Sequence, residues 1–238
     1  MLAGAVLGIV GAAFKGYLDR RTESRKNETA AWLDLLAPLR VAAEDLSRQL
    51  KQVFERVQKE ENIREAQQMD RHNPVNYLQF WFWQCKDYVT NPDENWPDDQ
   101  RLQHFALHSG GMGNEATSTL YLTAWYLFYA TQVRFRPPDI ESKDWTEQLG
   151  SHVDNVRHAY EAIEFYPVTQ DSTGLSMKGE GRTVKNFRQF GESITNRTER
   201  GWFLTLTDVY FKLHKCKDEQ VNEIQRSLDA LAAFVKKR

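Results

Sequence analysis

The stretch LLAPLRVAAEDLSRQLKQVFERV, residues 35–57, is written in the period of a helix. Leu35, Leu39, Ala42, Leu46, Leu50, Val53 and Val57 recur at spacings of three and four, which places them on one helical face. Leu36, Ala43 and Phe54 widen that stripe beyond the a/d seam of a coiled coil. Arg40, Glu44, Arg48, Lys51 and Glu55 occupy the opposite face. The pattern predicts a long helix, from Glu28 to about Gln68, packed in a bundle. Pro38 has no amide hydrogen, so it kinks this helix or begins a new one.

The same signature continues downstream. Asn73-Pro74 opens an aromatic cluster, Tyr77, Phe80, Trp81, Phe82, Trp83 and Tyr88, that reads as core. Pro92 and Pro97 break the chain between residues 91 and 99. A helix over 98–108 ends at the glycines around Gly110. Thr117 or Ser118 is placed to cap an apolar helix running to Val133, the expected centre of the core. Trp145, Leu149, Val153, Val156, Tyr160 and Ile163 mark the next helix, which Pro167 is expected to end. Residues 169–183 read as a polar, Gly-containing surface loop. Short helices follow over 184–195 and 200–214. The last helix carries Val221, Ile224, Leu228, Leu231 and Val235. No strand alternation interrupts this order. The expected fold is all-α: a helical bundle of about seven helices, preceded by a short N-terminal membrane helix.

That membrane helix is read from residues 2–14, which hold no charge and no strongly polar side chain. Extended through Leu18, the segment spans roughly 25 Å as a helix. The hydrocarbon core is ~30 Å thick. Snorkelling of Lys15 and local thinning of the bilayer cover the difference. A cleavable signal carries its positive charge before the apolar run, whereas here the charge follows it. Arg20, Arg21, Arg25 and Lys26 crowd the C-terminal flank, so the positive-inside rule places the body in the cytoplasm. The glycosylation sequons at Asn27 and Asn196 are then silent. Gly4, Gly8, Ala12 and Gly16 recur every fourth residue, a stripe that lets two helix backbones approach closely in lipid. The anchor is therefore expected to self-associate. The expected layout is an anchor at 1–21, a connecting amphipathic helix at 22–70 and a helical cytoplasmic body at 71–238.

A net charge of −2 argues against a general electrostatic grip on nucleic acid. The two cysteines, Cys85 and Cys216, form no CxxC pattern, so neither a disulfide framework nor a zinc site is expected. His104 and His108 sit one helical turn apart but lack both an adjoining Glu and a third ligand; no metal and no cofactor is expected. Gly174, Gly179 and Gly181 lie in a stretch without the Gly-Lys-Ser/Thr of a phosphate-binding loop, and Glu180 would repel phosphate. Lys178, Arg182, Lys185 and Arg188 nearby form a candidate patch for an anionic ligand or lipid headgroups.

Arg101-Leu-Gln-His-Phe-Ala-Leu-His108 resembles the Arg/His pair that HEPN-class ribonucleases carry on one helix. The resemblance implies an alternative function, a HEPN-like, metal-independent ribonuclease tethered to the membrane. Arg101 and His108 would then activate and orient the RNA 2′-hydroxyl and phosphate, duplicated across a dimer. The leading expectation is non-enzymatic: a membrane-anchored oligomeric scaffold or effector, pore-forming if its ring closes. Its expected partners are the lipid bilayer, further copies of itself and another protein.

Overall fold

The computed structural model describes residues 22–23, 26–27, 29–67, 112–135, 143–179, 183–196, 199, 204–215 and 218–237. Its elements are α1 (Leu36–Gln67), α2 (Met112–Phe135), α3 (Lys143–Glu161), α4 (Pro167–Ser176), α5 (Phe187–Thr195), α6 (Leu204–Lys215) and α7 (Asp218–Lys236). The described residues are mainly helical and contain no strand; one isolated bridge pairs Lys178 with Val184. The total of about seven helices was expected for the full chain, part of which lies outside the described residues. So do residues 1–21, the expected anchor. Among the described residues, no helix is long and apolar enough to cross a membrane.

The break near Pro38 falls just before it. Helical residues up to Leu33 give way to a turn at Asp34-Leu35, and α1 starts at Leu36. Pro38 thus sits in a first turn, where a missing amide hydrogen costs no helical hydrogen bond. Leu39 N makes the first such bond, to Leu35 O at 3.0 Å. Of the predicted apolar stripe, Leu36, Leu39, Ala42, Ala43, Leu46, Leu50 and Val53 lie in the interior, Leu35 and Phe54 are half-buried, and the Val57 side chain lies outside the described ones. The charged face carries the pairs Arg40–Glu44, Arg48–Asp45 and Lys51–Glu55.

α2 is apolar around most of its girth and occupies the middle of the bundle, touching α1, α3, α4, α5 and α6. It starts at Met112, earlier than the cap expected at Thr117 or Ser118. Thr117 and Thr119 are buried inside it. No proline stands between Met112 and Thr117 to stop the helix from extending. α7 packs against α1 and α3. Its five predicted apolar positions, from Val221 to Val235, are all buried. α1 shares one continuous core with the later helices.

Two expectations around Pro167 are overturned. α3 ends through a turn at Glu164, whose φ of 60° is left-handed, and not at the proline. Pro167 instead opens α4, at a position where its fixed φ suits a helix start. Of the polar segment 169–183, read as a surface loop, residues 169–176 belong to this helix, and residues 180–182 lie outside the described ones. Gln170, Thr173 and Gly174 are buried along it. Gly174 permits that burial: a Cβ there would lie 2.7 Å from the Leu127 carbonyl oxygen of α2. α5 is opened by a capping box, in which the Asn186 side chain accepts from Gln189 N and Gln189 Oε1 accepts from Asn186 N.

Candidate functional site

Among the described residues, the deepest charged group stands where α2, α3 and α4 meet. Arg157 lies on the buried side of α3 beside Val156 and Tyr160, and its side chain is only 3% exposed. It reaches Asp171 of α4 with both guanidinium nitrogens, Nη1 to Oδ1 at 2.5 Å and Nη2 to Oδ2 at 3.0 Å. Nη2 also donates to the Pro167 carbonyl at 3.2 Å. Thr131 of α2 donates to Asp171 Oδ1 at 3.2 Å. Arg134 stands 4.0 Å from Asp171 Oδ2 and 3.5 Å from Asp154 Oδ1. Gln170 Nε2 closes the corner, donating to the carbonyls of Arg157 and Phe165. A planar fork meeting a planar carboxylate is the geometry that holds such a pair away from water.

Two buried phenols belong to the same α2–α3 contact. Burial pushes the Tyr126 hydroxyl far above the ordinary tyrosine range, and the nearby Tyr160 adds to the shift. Burial does the same to Tyr160. Both stay neutral at physiological pH and cannot serve as bases. Arg157 has its fork filled by a carboxylate and a carbonyl. The arrangement binds three helices together.

A second cluster resembles a nucleophile with its base. Lys185 Nζ donates to Ser193 Oγ at 2.8 Å and to Glu199 Oε2 at 2.9 Å, and Ser193 Oγ donates to the same Glu199 oxygen at 2.6 Å. A Ser–Lys dyad needs an uncharged amine to take the hydroxyl proton. Here the amine is ion-paired and the hydroxyl proton points to a carboxylate. The hydrogen bond from Lys185, then that from Ser193, holds Glu199 below its ordinary pKa, which makes it a poorer base still. The cluster is a brace between the segment before α5, α5 itself and the chain beyond it.

The candidates from sequence fare differently. Lys178 is exposed. Lys185 is turned into the brace, and Arg188, 83% exposed, pairs with Glu192 one turn along α5. Two of the three described cations of the candidate patch therefore carry carboxylate partners, which weakens its pull on an anion. Arg182 lies outside the described residues, as do Gly4, Gly8, Ala12, Gly16, Arg20, Arg21, Arg25, Arg101, His104 and His108. Lys26 is described and exposed. No group of three His, Cys, Asp or Glu is placed to hold a metal ion among the described residues. Sequence reading missed Arg157–Asp171 because the two residues, 14 apart, fit no local motif. The available signal was an arginine set in the apolar face that Val153, Val156 and Tyr160 define.

Comparison with protein-family models, with curated proteins and with solved structures finds no match to this chain.

Proposed function

We propose that this chain is a membrane-tethered, non-enzymatic helical protein that self-associates, acting as a scaffold or effector, with a body that faces the cytoplasm. The observation that carries the reading is the joint at Trp32. This side chain is buried, and its Nε1 donates to the Val133 carbonyl of α2 at 3.2 Å. Between it and the apolar run ending at Leu18 stand only residues 19–31. Thirteen residues span about 20 Å as a helix. Fully extended they reach at most ~45 Å. A body fixed at Trp32 is thus held close to whatever residues 2–18 enter.

The test compares the full chain with a form that begins at Thr22, by membrane fractionation and by native mass in detergent. The expected result is a membrane-bound oligomer for the full chain and a released, smaller species for the shortened one. Gly8→Leu with Ala12→Leu is expected to reduce oligomer size without releasing the chain from the membrane. A soluble monomer in both forms would refute the reading. A closed ring of anchors predicts ion leak from liposomes. RNA cleavage by the purified chain, lost with Arg101→Ala or His108→Ala, would replace this function with the nuclease alternative.

A further inference from the structure

α4 is built inside out. Its buried residues are Gln170, Thr173 and Gly174, while Val168 and Leu175, both more than half exposed, face outward. Ser172, exposed as well, lies between them on the same helical face. α7 shows the opposite arrangement, burying Val221, Ile224, Leu228, Leu231 and Val235. Burial of apolar area is the main favourable term when one element docks on another. α4 draws little from it, because neither Val168 nor Leu175 is turned inward.

What holds α4 down is polar. Asp171 accepts from both guanidinium nitrogens of Arg157 and from the Thr131 hydroxyl. Pro167 O accepts from Arg157, and Gln170 Nε2 donates to two carbonyls. The close backbone approach at Gly174 completes the contact. Two groups are left over. Among the described residues nothing hydrogen-bonds to Gln170 Oε1 or Thr173 Oγ1, although both atoms are buried. A buried polar atom without a partner gives up the water it would meet outside, so both atoms favour the state in which α4 is lifted.

The chain on either side is fastened differently. Phe165 is fully buried, with its ring edge-on to Tyr160 at 5.8 Å and its amide bonded to Tyr160 O at 3.1 Å. Met177 is fully buried too, and its carbonyl accepts from Lys185 N at 2.8 Å. Two apolar pins thus bracket a helix held by polar contacts. A helix of ten residues is marginal in water by itself, so α4 melts when it leaves its place.

We infer that residues 166–176 form a strap, which lifts from α2 and α3 as a unit between Phe165 and Met177 while the rest of the bundle stays folded. Lifting frees the Arg157 guanidinium from Asp171 and uncovers the α2 backbone at Leu127. Segments that open first in a folded protein are those with few buried apolar contacts, which is the condition α4 meets. The inference does not depend on the tether proposed above.

The experiment is hydrogen exchange read by mass spectrometry, on the full chain in detergent at neutral pH, over urea concentrations below the unfolding transition. Amides 170–177 are expected to exchange roughly a hundredfold faster than amides 153–160 of α3 and 224–234 of α7. Their rates should barely change with urea, because so small an opening exposes little new surface. Thr173→Val keeps the shape and removes one unpaired hydroxyl, so it is expected to slow exchange of 170–177 by about tenfold and leave α3 and α7 unchanged. Asp171→Asn is expected to speed exchange in the same amides alone. Exchange of 170–177 with the rate and urea dependence of α3 and α7 overturns the inference, since α4 then opens only with the whole bundle. A change from either substitution that appears equally in all three helices overturns it for the same reason. Faster exchange of 170–177 after Thr173→Val also overturns it, because the hydroxyl is then holding α4 down.

Discussion

Gly174 shows how one missing side chain fixes the distance between two helices. Alanine is the better helix former by about 1 kcal/mol, so Gly→Ala inside a helix stabilises when there is room. At Gly174 there is none. A Cβ would meet the carbonyl oxygen of Leu127 at 2.7 Å and its carbon at 2.8 Å, and both are backbone atoms that cannot rotate away. Overpacking of this kind costs typically about 1–3 kcal/mol, which outweighs the propensity gain. Gly150, inside α3, is the internal control, with nothing within 4 Å of the same added atom. Gly174→Ala is expected to lower the denaturation midpoint and Gly150→Ala to raise it, read by urea titration of helical circular dichroism. The opposite order would mean that the α2–α4 contact is looser than described.

Between elements, the Arg157–Asp171 pair determines whether α4 exists as a helix in its place. Removing one partner of a buried pair leaves the other uncompensated and costs about 3–5 kcal/mol. Replacing both by apolar groups of similar volume is far milder. Asp171→Leu alone should therefore lower the melting temperature more than Arg157→Met with Asp171→Leu. Additive losses would show that the pair is not coupled. This dependence on a distant partner explains why α4 was invisible in its own residues. Pro167, Thr169, Asp171, Ser172, Thr173 and Gly174 have the composition of a loop. Gln170, Thr173 and Gly174 are buried only because α2 and α3 lie over them. The stripes of α1 and α7 were legible because Leu39, Leu46, Ile224 and Leu228 encode burial by spacing alone. α2 was legible as a central helix because its apolar residues cover nearly every face, although its start was not. The candidate patch at Lys178, Lys185 and Arg188 was legible as charge. Its partners Glu192 and Glu199 were not, because pairing depends on how α5 and the chain after it turn.

Across the chain as a unit, stability should fall on acidification, and the sign follows from three groups. Burial disfavours the cation of His152, and Lys237 repels it, so its pKa lies below the ordinary 6.5. Glu199, bonded by Lys185, and Glu164, bonded by Lys212, lie below the ordinary 4.5. In each case the unfolded chain takes up the proton more readily than the folded one. The stabilisation is complete above the unfolded value and is lost as pH drops through the folded value. Thermal melts should thus show decline in two stages, the first below 6.5 and the second below 4.5. His152→Gln should flatten the first stage, and Glu199→Gln should flatten part of the second. A melting temperature that rises from neutral pH to about pH 5.5 would contradict the assignment. The pairing of α1 with α7 has a different consequence, one of timing. Ser47 of α1 donates to Asp229 of α7, 182 positions later in the chain. During translation at about 5–20 residues per second, α1 waits on the order of 10–40 s for that partner to be made. Until then the part of the Leu39–Leu46–Leu50 stripe that α7 covers is open to chaperones. Final closure of the bundle is then governed by ribosome progress.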